Sequence, residues 1–157
     1  AYLLFSVPEF TRSLANNMRS ASKVYAVDPA MFGAFSPASA LDQGQRLETA
    51  VFNALRRRTP AVRVGSVCRL LIKEKSKNHE VDFVAGDALL MRAYSLIQVS
   101  ADMASEKTRE REIAALDASM AQFDLGESAI VTMDEQADIP CEHGVVHVMP
   151  AWKWLLA

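Results

Sequence analysis

A disulfide framework is missing from this protein, because its 157 residues include 2 cysteines, Cys68 and Cys141, too few for a cross-linked scaffold. No apolar leader precedes them, and a reducing, cytoplasmic setting is expected. Long apolar runs are missing too. The most apolar stretch, Leu89 to Val99, is broken by Arg92, Ser95 and Gln98, so no membrane helix is expected. The 6 glycines are scattered and no G-x-x-x-x-G-K-[ST] occurs, so neither a bound nucleotide nor nucleotide hydrolysis is expected in this chain. Neither Ser95 nor Ser100 stands in a G-x-S-x-G elbow, which sets aside a serine nucleophile paired with His79. Positive charge is not in excess: the formal net charge is -2, so any hold on nucleic acid must come from a local patch. Internal repeats and low-complexity tracts are absent.

What the chain has is apolar mass. Half of its residues are hydrophobic, enough for one domain with a filled core. The densest signal runs from His79 to Ser100, where two apolar strands, each with one polar residue, are joined by an expected turn at Ala85-Gly86-Asp87. Val81, Phe83 and Val84 flank Asp82, while Leu96, Ile97 and Val99 flank Gln98. In a hairpin both polar side chains can project from one face near one end, and a carboxylate beside an amide oxygen suits a hard cation. The alternative is that Asp82 is satisfied by backbone amides or an arginine.

Around this hairpin the elements follow in order. The first residues, Ala1 to Val7, lack an initiator methionine and read as a buried strand continuing from a longer chain. Pro8 is placed to start a helix through Asn16, with a turn at Asn16-Asn17. Val24 to Val27 reads as a short strand, after which Asp28 caps a helical turn from Pro29 to Phe35. Ser36 to Ala40 reads as a linker, giving a leading segment over 1–40 and a main domain over 41–157. From Asp42 a helix is expected, with Leu47, Ala50, Val51, Ala54 and Leu55 on one stripe, Glu48 beside it, and Thr59-Pro60 as the stop. Glu48 is open to two readings, a surface acid paired with Arg46 or Arg56, or a site acid. Strands follow at Val67–Glu74, His79–Ala85 and Met91–Ser100, with an exposed tip at Lys73–Asn78. A second helix spans Ser105 to Phe123, with Ile113, Leu116, Met120 and Phe123 inward and Ser105 as N-cap. Glu127–Met133 and Gly144–Met149 read as strands about an acidic loop, Asp134–Asp138. Trp152 and Trp154 read as docking residues rather than a base-stacking platform. The expected fold is therefore α/β, a mixed sheet flanked by helices in the order α-β-β-β-α-β-β, because a strand after a long crossover helix lies parallel to its neighbour.

Two charged groups and one metal-like pattern need weighing. Arg56 and Arg57, with Arg58, either offset a helix C-terminus or face phosphate. Arg109 and Arg111, with Arg92, could grip phosphate, or pair with Glu106, Glu110 and Glu112 on the same turns. Cys141, His143 and His147 form C-x-H-x-x-x-H, which suggests zinc but lacks a fourth ligand nearby, so two separate hairpin histidines are the alternative.

Four segments carry a resemblance: Gly44–Phe52 (GQRLETAVF), His79–Val84 (HEVDFV), Leu96–Ser100 (LIQVS) and Pro150–Leu156 (PAWKWLL). They resemble the C-terminal domain, of unknown function, of a large set of prokaryotic AAA-type ATPases, across almost the whole chain. Tyr2–Ser6 and Lys23–Asp28 resemble the segment that joins that domain to the ATPase part. The resemblance implies a PD-(D/E)xK nuclease-like core, with acids and a lysine around one or two magnesium ions. It places Glu48 at the helix acid, Asp82 at the strand acid, Gln98 at the second acid and Ser100 at the lysine. Glutamine can still offer an oxygen to magnesium, but serine supplies neither the reach nor the charge of lysine. Lys73, Lys75 or Lys107 is the substitute a neighbouring element could provide. Three functions follow as expectations: a degenerate nuclease fold binding nucleic acid or a partner for the attached ATPase domain; an active magnesium-dependent endonuclease using Glu48, Asp82 and Gln98; or a structural domain for homo-oligomer assembly.

Overall fold

The computed structural model of the protein describes residues 3–31, 42–58, 66–73 and 78–157. Its centre is a six-stranded sheet of β3 (Val67–Lys73), β4 (Asn78–Asp87), β5 (Arg92–Val99), β6 (Glu127–Thr132), β7 (Ala137–Pro140) and β8 (Val145–Pro150), in the spatial order β3-β4-β5-β6-β8-β7. The first three strands form an antiparallel meander. Helix α3 (Glu106–Phe123) then crosses over, so β6 returns parallel to β5, as a long crossover requires. β8 lies parallel to β6, and β7 closes that edge in the antiparallel sense. A mixed sheet between helices is the α/β architecture expected from the sequence.

Each face of the sheet buries one apolar cluster. On one face α3 seals Leu70, Val81, Val84, Leu96, Ile130 and Val146 with Ala115, Leu116 and Met120. On the other, α2 (Asp42–Arg58) and α4 (Ala151–Leu156) bring Val51, Phe52, Leu55 and Trp154 against Phe83, Ile97 and Val131. Val51 and Leu55 bury fully as the helical stripe predicts, and Phe52 joins them because the buried face is wider than the stripe.

The leading segment belongs to this core. β1 (Leu4–Val7) and β2 (Lys23–Ala26) form an antiparallel pair that lays Val7 and Tyr25 on the α2 side. Phe10, three residues after Val7, packs on the opposite side, edge to face with Phe123 at 5.5 Å. The chain crosses between the two at the free edge of β3, where Arg69 N–H donates to the Pro8 carbonyl and Phe10 N–H to the Arg69 carbonyl. Those bonds are why the expected helix at Pro8 does not form. The helix that does form, α1, spans Leu14–Arg19, capped by the Ser13 hydroxyl, which accepts from Asn16 N–H, so Asn16-Asn17 lies within a helix rather than a turn.

Several boundaries move for physical reasons. The turn between β4 and β5 is not at Ala85-Gly86-Asp87. β4 continues to Asp87, and the reversal lies at Ala88–Met91, where the Asp87 carboxylate accepts the Leu89 and Leu90 amides and Met91 takes a positive φ of 52°. Gly86 serves a register shift inside the strands, and a Cβ there would strike the Arg92 carbonyl. α3 is rotated from its expected stripe, with Glu112 and Ser119 buried and Ile113 and Phe123 at the margin. Ser105 precedes it, with no side-chain cap bond. The acidic loop yields a short strand, β7, and the chain end a helix, so the main domain reads α-β-β-β-α-β-β-β-α rather than the shorter expected order. Asp28 does accept the Ala30 amide as a cap. The rest of the expected turn to Phe35, the Ser36–Ala40 linker, the Thr59-Pro60 stop and the hairpin tip at 74–77, with Lys75, lie outside the described residues. Among the described residues no helix is long and apolar enough to cross a membrane.

Candidate metal centre

The centre lies where β4 and β5 part. Their backbone register runs from Asp87 with Arg92 to Phe83 with Ile97. One residue further, side chains take over the bonding: Asp82 N–H donates to Gln98 Oε1 at 3.0 Å, and Val99 N–H donates to Asp82 Oδ2 at 3.0 Å. The two polar residues that interrupt the apolar strands thus satisfy the backbone at a fork in the sheet. Asp82 keeps Oδ1 for the cavity beyond.

That cavity, of about 400 Å³, is lined by polar and charged groups from five elements: Lys23 of β2, Glu48 of α2, Glu80 and Asp82 of β4, Gln98 of β5, and Arg111 and Glu112 of α3. At its heart is the Lys23 ammonium, 2.7 Å from Asp82 Oδ1, 2.9 Å from Glu48 Oε1 and 3.0 Å from Glu80 Oε1. Glu48 Oε1 also accepts the Tyr25 hydroxyl at 2.5 Å. Glu112, buried on α3, is held by the Arg111 guanidinium at 2.5 Å, and that arginine side chain is 67% exposed at the cavity mouth.

Electrostatics follow from this crowding. Burial, then the Glu48 charge, pushes Asp82 up to about 6, against the pull of Lys23 and the Val99 amide. Burial works against the Lys23 charge, but Asp82 and Glu48 outweigh it and hold the ammonium above the ordinary lysine range. Burial and Glu48 likewise keep the Tyr25 hydroxyl protonated far beyond its usual range. The hydrogen bond that Arg111 donates to Glu112, with the charge of that carboxylate, raises Arg111 further. The acids therefore need a cation between them. Glu48 and Asp82 are the carboxylates that could hold a hard cation here, whereas the group whose ligand atoms all lie within 4.8 Å of one another among the described residues is Asp117, Glu142 and His143, at another place. Gln98, expected as a ligand, turns its amide oxygen to the Asp82 amide instead.

No protein-family model, curated protein or solved structure matches the chain.

Of the residues singled out from the sequence, Glu48, Asp82, Gln98 and Arg111 line this cavity. Ser100 does not, for its hydroxyl donates to the Asp102 carbonyl and its amide to Val131. Arg56 stacks over the Phe5 ring at 3.5 Å, and exposed Arg57 shares the last turn of α2. Arg92 sits by Tyr94 beyond the other end of the hairpin, and Arg109 lines a separate hollow with Glu106 and Glu110. Lys107 is exposed at the start of α3. His143 pairs with Asp117 and His147 with Asp138, so the two histidines of the zinc-like pattern do not converge.

The residues missed were Lys23, Tyr25 and Glu80, and Glu112 was expected only as an ion-pair partner of the helix arginines, which it is for Arg111. Glu80 was legible, since it lies two residues from Asp82 on the same strand. Glu112 was legible from its spacing of four to Leu116. Lys23 and Tyr25 were not, because nothing local assigns a two-stranded hairpin to this cavity.

Proposed function

We propose that this chain is a nuclease-like domain of the PD-(D/E)xK kind, appended to an AAA-type ATPase, that binds magnesium on Glu48 and Asp82 and acts on the phosphodiester backbone of nucleic acid. The observation that carries the reading is the single Lys23 nitrogen, hydrogen-bonded to Glu48 and Asp82 and ion-paired with Glu80. It supplies from β2 the cation that Ser100, one residue past the end of β5, cannot supply. Magnesium bound there would neutralise phosphate charge and activate a water. Lys23 provides positive charge for the phosphorane oxygens, and Arg111, held by Glu112 at the mouth, provides a planar donor for an adjacent phosphate.

A second reading, nucleic-acid binding without cleavage, is favoured by Gln98, whose oxygen is spent on the Asp82 amide and which carries no charge. The test is a magnesium or manganese titration of the melting temperature with wild type and Asp82→Ala, alongside cleavage assays on DNA and RNA. A cation-dependent rise in wild type, lost in Asp82→Ala, with cleavage supports the first reading. The same rise with salt-sensitive binding but no cleavage supports the second. No rise removes the metal centre.

A further inference from the structure

Two residues of β2 reach one atom of the helix acid. Lys23 and Tyr25 are two apart and so share a side of the strand. Lys23 Nζ donates to Glu48 Oε1 at 2.9 Å and Tyr25 Oη donates to the same oxygen at 2.5 Å. The donors differ in freedom. The lysine side chain is 29% exposed and rides on a flexible four-carbon stem. The Tyr25 ring is 3% exposed, stacked on Phe52 at 4.6 Å and tilted against Phe83 at 5.4 Å. Lys23 can withdraw by rotating its stem, whereas Tyr25 can move only by breaking the aromatic cluster.

Resting on the magnesium reading above, we propose that Tyr25 is the positioning residue of Glu48: when a divalent cation takes the place of the Lys23 ammonium, the Tyr25 hydroxyl keeps hold of Oε1 and so fixes the orientation of the carboxylate. The physical reason is a conflict of charge. An ammonium and a divalent cation cannot share one oxygen cluster, so the charged donor leaves and the neutral one stays. A carboxylate stripped of both donors would have to be ordered by the ion alone, which weakens binding. Hydrogen-bond partners of this kind, standing behind a metal ligand, are worth about 10- to 100-fold in affinity. Glu48 is partly exposed, which places the expected effect near the lower end. The hairpin that carries Tyr25 thereby becomes part of the metal centre, although it lies in the leading segment.

The decisive variant is Tyr25→Phe, which keeps the ring and its stacking and removes only the hydroxyl. Magnesium is titrated into the full chain, wild type and variant, and followed by calorimetry and by melting temperature, with the metal-free melting temperature as control. The expected result is a magnesium midpoint about tenfold higher in Tyr25→Phe, with a metal-free melting temperature close to wild type. In a Glu48→Gln background the further Tyr25→Phe change is expected to add nothing, because the group being positioned is already altered. A midpoint equal to that of wild type, or an equal loss in both backgrounds, overturns the inference while leaving the metal centre intact. Absence of any magnesium response in wild type overturns the magnesium reading and this inference with it.

Discussion

Lys23 and Asp82 stand 59 residues apart in sequence and 2.7 Å apart in space, joined as ammonium and carboxylate in the fork between β4 and β5. The contact does two things. It stabilises a buried acid that would otherwise be costly, and it marks the point where a metal ion would have to displace a charge already in place.

Lys23→Met separates these two effects. Without divalent ions at about pH 8, the variant is expected to lose roughly 2 kcal/mol of stability, less than a fully buried pair because the lysine is partly exposed. Its magnesium midpoint is expected to fall, since no ammonium competes for Glu48 and Asp82, while any cleavage activity drops at least about a hundredfold. Chemical denaturation and calorimetric titration read the two. An unchanged or higher magnesium midpoint would show that the ammonium does not hold the metal's place.

Asp82→Asn tests the electrostatics through pH. The folded-state value is raised from 3.8 to about 6, so the native protein binds more protons than the unfolded chain across that window. The group's contribution to stability is then fully present below 3.8 and is lost as the pH rises through about 6. Asparagine cannot titrate. The stability of the variant relative to wild type should therefore improve by about 2 kcal/mol between about pH 4 and about pH 7 in metal-free buffer. A difference that stays flat with pH would mean the carboxyl is not raised.

Phe83→Ala tests the packing that places β2. Phe83 is fully buried and contacts the rings of both Tyr25 and Phe52. Its truncation is expected to cost about 3–5 kcal/mol and to loosen the leading hairpin, exposing it to limited proteolysis. A loss below about 1 kcal/mol would contradict a close-packed cluster.

Gly144→Ala tests the turn before β8. A Cβ at this position would run into the backbone carbonyl of Gly126, which no rotamer change can relieve. The expected loss is about 1–3 kcal/mol, measured by denaturant unfolding. Wild-type stability in the variant would show that the two backbones are not in contact.

Local patterns were sufficient for much of this protein. The spacing of Leu47, Val51 and Leu55 determined α2, because three- and four-residue steps fall on one side of a helix. The apolar runs around Asp82 and Gln98 determined a strand pair, and the long helix after β5 determined the parallel return of β6. The interruption of two apolar strands by an acid and an amide was itself enough to mark the fork, since a buried polar group must be bonded. What only the tertiary structure decided is which distant groups meet there. Pro8 looked like a helix start until the free edge of β3 offered its backbone partners, and Lys23 had no assigned place until aromatic packing between Tyr25, Phe52 and Phe83 fixed β2 against α2. Periodicity reports which side of an element is apolar, but it carries no information on which elements lie side by side. The charge balance of the cavity comes from that docking, which brings Lys23 to Glu48 and Asp82.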